Sequence, residues 1–186
     1  MTTYTPGPAA LRAMAHPMRL RILGLLRLDG PATASGLAAR LGINSGAASY
    51  HLRQLAQHGF IVDDPERGNA RERWWKAAYQ STRSDRDSES TQEGREAIDA
   101  FGQAIAVVHA EQLQRSVEER ALLSAPWRLA TTESDWVLRL TPERAHELVQ
   151  AVQAVVSGWD EDTDEETAAT PYVVQVHGFP VPGSAT

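Results

Sequence analysis

The sequence predicts a mainly α-helical chain with small β elements, and three observations carry that expectation. Apolar residues recur at three- and four-residue steps over most of the chain. Short strand-like segments fall at residues 60–62, 71–79, 135–140 and 172–176. Gly and Pro punctuate the first third at Gly30, Pro31, Gly42 and Gly59, which sets helices of modest length between turns.

The elements follow in order. Pro8 to Ala15 is a short helix, broken at His16-Pro17 because the residue before proline avoids the α region. Met18 to Leu28 is the next, with Pro17 suited to the first helical position. Its apolar face is Met18, Ile22, Leu25 and Leu26, widened by Leu20, Leu23 and Leu28. Thr33 to Leu41 follows, capped by Thr33 or Ser35, with Gly42 supplying a left-handed residue past its end. A further helix runs from a Ser45 cap to about His58 and stops at Gly59. Two helices around a short Gly-containing turn form a helix-turn-helix pattern. Residues 60–62 then read as a strand, 63–69 as a turn, and 71–79 as a second strand, so the helical pair carries a wing. Adjacent strand residues point oppositely, so one of Trp74 and Trp75 faces the core; Trp75 shares a face with Ala77 and is the expected one.

The second half is organised differently. Residues 81–92 form a polar linker, and 93–124 one long helix with the stripe Ala97, Ile98, Phe101, Ile105 and Val108. Such a helix, standing outside a compact domain, is expected to bury Ile98, Phe101, Ile105 and Val108 against a second subunit. Residues 125–186 read as strand, helix, strand: Trp136, Leu138 and Leu140 alternate, Thr141-Pro142 opens a helix, and 172–176 closes the unit. The expected domains are thus a winged helix-turn-helix at 1–80, the linker at 81–92, a dimerisation helix at 93–124 and a small α/β unit at 125–186.

Composition narrows the chemistry. The 186 residues include no cysteine, which excludes disulfides, thiolate metal sites and a cysteine nucleophile. No apolar run approaches a membrane span and residues 1–10 do not look like a signal peptide, so a cytoplasmic location is expected. The net charge of −6 conceals a split. Residues 1–80 hold ten Lys/Arg against five Asp/Glu, whereas 81–186 hold eight against nineteen. A basic module joined to an acidic one suits a nucleic-acid partner for the first.

Several linked motifs resemble those of the ArsR-type (arsenic-repressor-like) winged-helix regulators. They are the run from Leu11 through His16-Pro17 to Leu23, then Thr33 to Ile43, then Ser49-Tyr50-His51-Leu52-Arg53-Gln54-Leu55 and His58-Gly59-Phe60-Ile61. The segment Gly68-Asn69-Ala70-Arg71-Glu72-Arg73-Trp74-Trp75-Lys76 resembles their wing. The similarity covers roughly residues 9–80 and leaves the last sixty unassigned. It implies a homodimeric transcriptional regulator, a repressor, bound to a pseudo-palindromic operator in double-stranded DNA.

The residues agree with that implication. Ala48, Leu52 and Leu55 follow an i, i+4, i+7 stripe toward the domain core. Ser45, Ala47, Ser49, Tyr50, Arg53 and Gln54 are left on other faces for the major groove. In the wing, Arg67, Asn69, Arg71 and Arg73 are the candidates for backbone or minor-groove contact. His51 reads equally as a DNA-facing or a structural histidine.

Other chemistries find little support, so no enzyme activity and no cofactor are expected. A zinc pattern known among relatives would fall on Glu96, Ile98, His109 and Gln112, but isoleucine cannot ligate, and no metal site is expected. Asp160, Asp162 and Asp164 open like a calcium loop that then fails at Glu165 and Pro171. His146-Glu147 lacks its second histidine at Gln150. Trp127, Trp136, Trp159, Tyr172 and Phe179 either line a pocket for a small-molecule effector or form the core of a small domain, the second being favoured. A protein–protein module on the same fold is the alternative to DNA reading.

Overall fold

A computed structural model describes residues 2–67, 72–82, 90–162 and 169–184. The chain divides into two compact units, Met1–Glu119 and Arg120–Thr186. The first is mainly helical and built as expected from local signals. Helix α1 (Pro8–Met14) ends ahead of His16, whose Nδ1 accepts the Met18 N–H at 3.1 Å and so caps α2 (Pro17–Leu28). Helix α3 (Ala34–Leu41) is capped by Thr33, whose hydroxyl accepts the Gly36 N–H at 3.1 Å. Gly42 closes it at φ 65°, a left-handed conformation that glycine adopts without a Cβ penalty.

Helix α4 (Ser45–Gln57) corrects one detail: Asn44, not Ser45, is its cap, accepting the Ala47 N–H at 2.8 Å. Asn and Ser cap equally well, so sequence alone does not separate neighbouring positions.

The sheet also exceeds the expected hairpin. Strand β3 (Ile61–Asp63) and strand β4 (Trp74–Ala77) pair antiparallel with Ile61 opposite Ala77 and Asp63 opposite Trp75. A two-residue strand β2 (Ala32–Thr33) joins the far side of β4, giving the order β2-β4-β3. A separate parallel pair links β1 (Thr3–Tyr4) with β5 (Ser81–Thr82). Tyr4 stacks on Tyr79 at 4.8 Å between centroids and meets Phe60 edge-on at 5.2 Å. Beside this junction Arg27 donates to the Tyr79 carbonyl at 2.9 Å and to Thr82 Oγ1 at 2.7 Å, and burial pulls its pKa down to about 10.

The core gathers Leu11, Met14, Ile22, Leu23, Leu26, Leu37, Leu52, Leu55, Phe60 and Ile61, with Trp75 buried as its parity with Ala77 required. Each large apolar side chain so enclosed contributes about 1.5–3 kcal/mol.

Helix α5 (Gln92–Glu119) overturns the expected use of the apolar stripe. Ala97, Phe101, Ala104 and Val108 are buried within the chain, and α5 packs on α1 and α2. Phe101 and Val108 are therefore not open to a second subunit, while Ile98 and Ile105 lie half-buried against the same core. The reason is that α1 and α2 present an apolar surface of their own, which periodicity in α5 cannot reveal. Ion pairs frame this packing: Arg12 with Glu93 at 2.8 Å and Arg21 with Glu111 at 2.6 Å. Beyond Val108 the helix has no buried residue, and Leu113 and Val117 are half-exposed.

The second unit holds a 3-10 turn (Arg120–Leu122), α6 (Ala125–Leu129) and α7 (Pro142–Ser157). Helix α7 starts as expected, with Pro142 at its first turn and the Thr141 hydroxyl accepting the Arg144 N–H at 3.4 Å. The expected strands are the correction, since neither 135–140 nor 172–176 enters a β-ladder. Alternation supplies a face for a sheet, not the partner that completes it. The five aromatic residues do not converge either. Trp127 and Tyr172 stack at 6.2 Å, with the Tyr172 hydroxyl donating to the Ala130 carbonyl at 2.6 Å. Trp136, Trp159 and Phe179 are 78%, 79% and 74% exposed, so they form neither a pocket nor a core within this unit.

Candidate nucleic-acid interface

Helix α4 is held by one face and offers the others. Ala48, Leu52 and Leu55 are fully buried, the helix packing on α2 and α3. The opposite surface carries Ser45, Tyr50 and Arg53, all exposed, with Ala47, Ser49 and Gln54 half-buried at its margins. Arg53 has no ion-pair partner among the described residues, so its guanidinium fork is available for a phosphate or a guanine edge.

The wing is more constrained. Arg73 donates its Nε–H to Asp63 Oδ2 at 2.8 Å and lies 4.2 Å from the Trp75 ring centroid. Arg67 sits 3.9 Å from Asp64, a buried carboxylate that also takes the Lys76 ammonium at 3.0 Å. Wing residues Asn69 and Arg71 lie outside the described residues. Arg53 and Arg73 thus differ in readiness, because Arg73 already has its charge offset by the Asp63 carboxylate.

One cluster at this face was not legible as a unit. The rings of His16 and His51 stand 4.8 Å apart, and Tyr50 meets His51 edge-on at 5.4 Å. Burial is the largest cause lowering the pKa of each imidazole; the Arg19 charge lowers both further, and for His51 His16 adds to it. Burial also lowers the Arg19 pKa. Arg19 Nε and His51 Nδ1 are both buried without a hydrogen-bond partner. The sequence signal was only His16-Pro17 and a histidine inside α4; nothing local joins positions so far apart.

Metal chemistry gains nothing from the geometry. Glu96, the first position of the zinc pattern, is engaged by Arg12 at 3.4 Å and Gln92 at 3.0 Å. Among the described residues no group of three His, Asp or Glu could hold a metal ion.

A helix-turn-helix with an exposed polar second helix, a flanking antiparallel sheet and a basic rim defines the winged helix-turn-helix class found in transcriptional regulators. Comparison with known proteins gives the particular likeness. Residues 14–63 match a family described as a helix-turn-helix domain. The chain is similar to the HTH-type transcriptional regulator NmtR of Mycobacterium tuberculosis, 41% identical over 56 residues, or 30% of this chain and 46% of that protein. It is likewise similar to the HTH-type transcriptional regulator YgaV of Escherichia coli, 41% identical over 54 residues, or 28% of this chain and 54% of the relative. The chain spans about half the length of the curated relatives it matches. Among solved structures, reduced HlyU from Vibrio cholerae is 28% identical, covering 44% of this chain and 76% of that one at a TM-score of 0.33. No helix among the described residues is long and apolar enough to cross a membrane.

Proposed function

We propose that this protein is a DNA-binding transcriptional regulator of the ArsR type, a cytoplasmic repressor that binds a pseudo-palindromic operator as a homodimer. The observation that carries this reading is α4, anchored by Ala48, Leu52 and Leu55 and presenting outward Ser45, Tyr50 and Arg53, the last without an ion-pair partner among the described residues. Such a helix fits the major groove, and the wing, with Arg67, Asn69, Arg71 and Arg73, follows the adjacent backbone. Likeness to two HTH-type regulators supports it, as does the helix-turn-helix family match over residues 14–63. The exposed half of α5, with Val107, Leu113 and Val117, extends the long helix past the winged domain and is where the second copy packs. Two α4 helices would then lie about one helical turn of DNA apart, ~34 Å. A small-molecule effector would act from the acidic C-terminal unit.

The test is fluorescence anisotropy with the DNA upstream of the protein's own gene, across a salt series. Binding tighter than to a scrambled duplex and weakening steeply with salt is expected, since phosphate contacts release counterions. Equal indifference to both duplexes at low salt overturns the reading.

A further inference from the structure

We propose that His16, Arg19 and His51 form a seat for one phosphate oxyanion at the junction of α2 and α4, taken from the DNA backbone next to the groove that α4 reads.

The argument begins with charge. Two arginines on α2 act on His16, namely Arg19 and Arg21. Arg21 is already neutralised by Glu111 of α5, which accepts from its Nε at 3.1 Å and from its Nη2 at 2.6 Å. On α1, Arg12 is likewise turned to Glu93 and Glu96 of α5. Of Arg12, Arg19 and Arg21, Arg19 is the one with no carboxylate within ion-pair distance among the described residues. The groups facing the two imidazoles are therefore Arg19 and paired Arg21 from α2 and Tyr50 from α4, with no acid among them. The two imidazoles stand 4.8 Å apart under the charge of Arg19, and no carboxylate among the described residues pairs with that guanidinium.

Hydrogen bonding points the same way. Arg19 Nε and His51 Nδ1 are each enclosed and unpartnered. Buried polar atoms are nearly always satisfied in folded proteins, so two unpartnered ones in one cluster point to a ligand. The ligand has to be an anion that accepts several hydrogen bonds, and a phosphate oxyanion does so in the planar fork that arginine presents. The adjacent Tyr50 is exposed on the same helix as Arg53, which locates the seat at the edge of the proposed DNA face.

Protonation follows from the same geometry. Burial and Arg19 lower the pKa of both imidazoles, whereas a seated phosphate favours the charged form of His51, whose Nδ1 has no partner; the Nδ1 of His16 already accepts the Met18 N–H, so His16 offers only its Nε2–H. Binding then takes up protons and strengthens as the pH falls.

This inference rests on the DNA reading only for the source of the phosphate. The test combines two measurements on the full chain. The first follows the imidazole resonances of His16 and His51 by NMR while inorganic phosphate is added, with chloride at matched ionic strength as the control. The second measures duplex affinity at fixed salt between pH 7.5 and 6, for wild type, Arg19→Gln, His51→Gln and His16→Asn, the last retaining a capping side chain. Phosphate-specific shifts at both histidines, with wild-type duplex affinity rising roughly tenfold over that range and flattening in Arg19→Gln and His51→Gln, are expected. Phosphate-specific shifts beside a flat duplex profile overturn the DNA source and leave a seat for a free phosphate. Histidine resonances that respond to chloride and phosphate alike overturn the seat itself. Absence of any duplex binding by the wild type is instead a failure of the regulator reading and leaves the NMR arm intact.

Discussion

Arg21 of α2 grips Glu111 of α5 with two guanidinium nitrogens, Nη2 lying 2.6 Å from each carboxylate oxygen. The pair joins α2, which packs against α4, to the long helix α5. Arg21 hydrogen bonds, ahead of its charge, hold the Glu111 pKa below the usual carboxylate value. A depressed folded-state pKa contributes stability that is present above the unfolded value and is lost as pH falls through the folded one. The protection of amides near residue 111, taken relative to intrinsic exchange at each pH, is therefore expected to fall as the pH drops through the depressed Glu111 value, and Glu111→Gln should show that lower protection already at pH 7. Protection that is independent of both pH and substitution would remove the pair from this role.

The apolar seam between α5 and its own domain makes a second prediction. Phe101→Ala deletes a buried ring and is expected to cost about 3–5 kcal/mol. Leu113→Ala, on the exposed half of the same helix, should leave denaturant stability of the isolated subunit nearly unchanged. Chemical denaturation at low protein concentration distinguishes them, and equal costs would mean that Phe101 is not enclosed within the chain.

The turn between α3 and α4 can be probed from both sides. Gly42→Ala places a Cβ on a backbone at φ 65° and is expected to cost about 1 kcal/mol. Asn44→Ala removes the cap of α4 and is expected to cost a similar ~1 kcal/mol. Ser45→Ala should be milder, because its hydroxyl is not the cap. A larger loss at Ser45 than at Asn44 would reverse the assignment.

DNA contact separates the two exposed arginine positions. Arg53→Ala is expected to weaken operator binding by about 1–3 kcal/mol if it reads a base edge. Arg73→Ala should weaken it less, since that side chain is engaged with Asp63 and Trp75. Anisotropy at one salt concentration measures both, and an Arg53 variant with wild-type affinity would remove it from the interface.

Legibility followed the range of each signal. Caps, glycine turns and the Ala48–Leu52–Leu55 stripe are local, and they made the helix-turn-helix legible but for the cap of α4, which is Asn44 and not Ser45. Parity alone buried Trp75 correctly. Strands of two residues, such as Thr3–Tyr4 and Ala32–Thr33, are shorter than any period and went unseen. Phe101 shows the remaining limit. Its helical face was plain, but whether α1 or a second chain covers that face is a property of distant sequence. His16 and His51 failed for the same reason, being ordinary alone and meaningful only in contact.

The parallel pairing of Thr3–Tyr4 with Ser81–Thr82 makes the winged domain a closed circuit, its first residues clasping the strand by which the chain departs toward α5. Whatever is fused to or trimmed from those first residues therefore acts at the exit as well. An affinity tag there perturbs how the winged domain is joined to α5, so the amino terminus is not a neutral place to modify this protein.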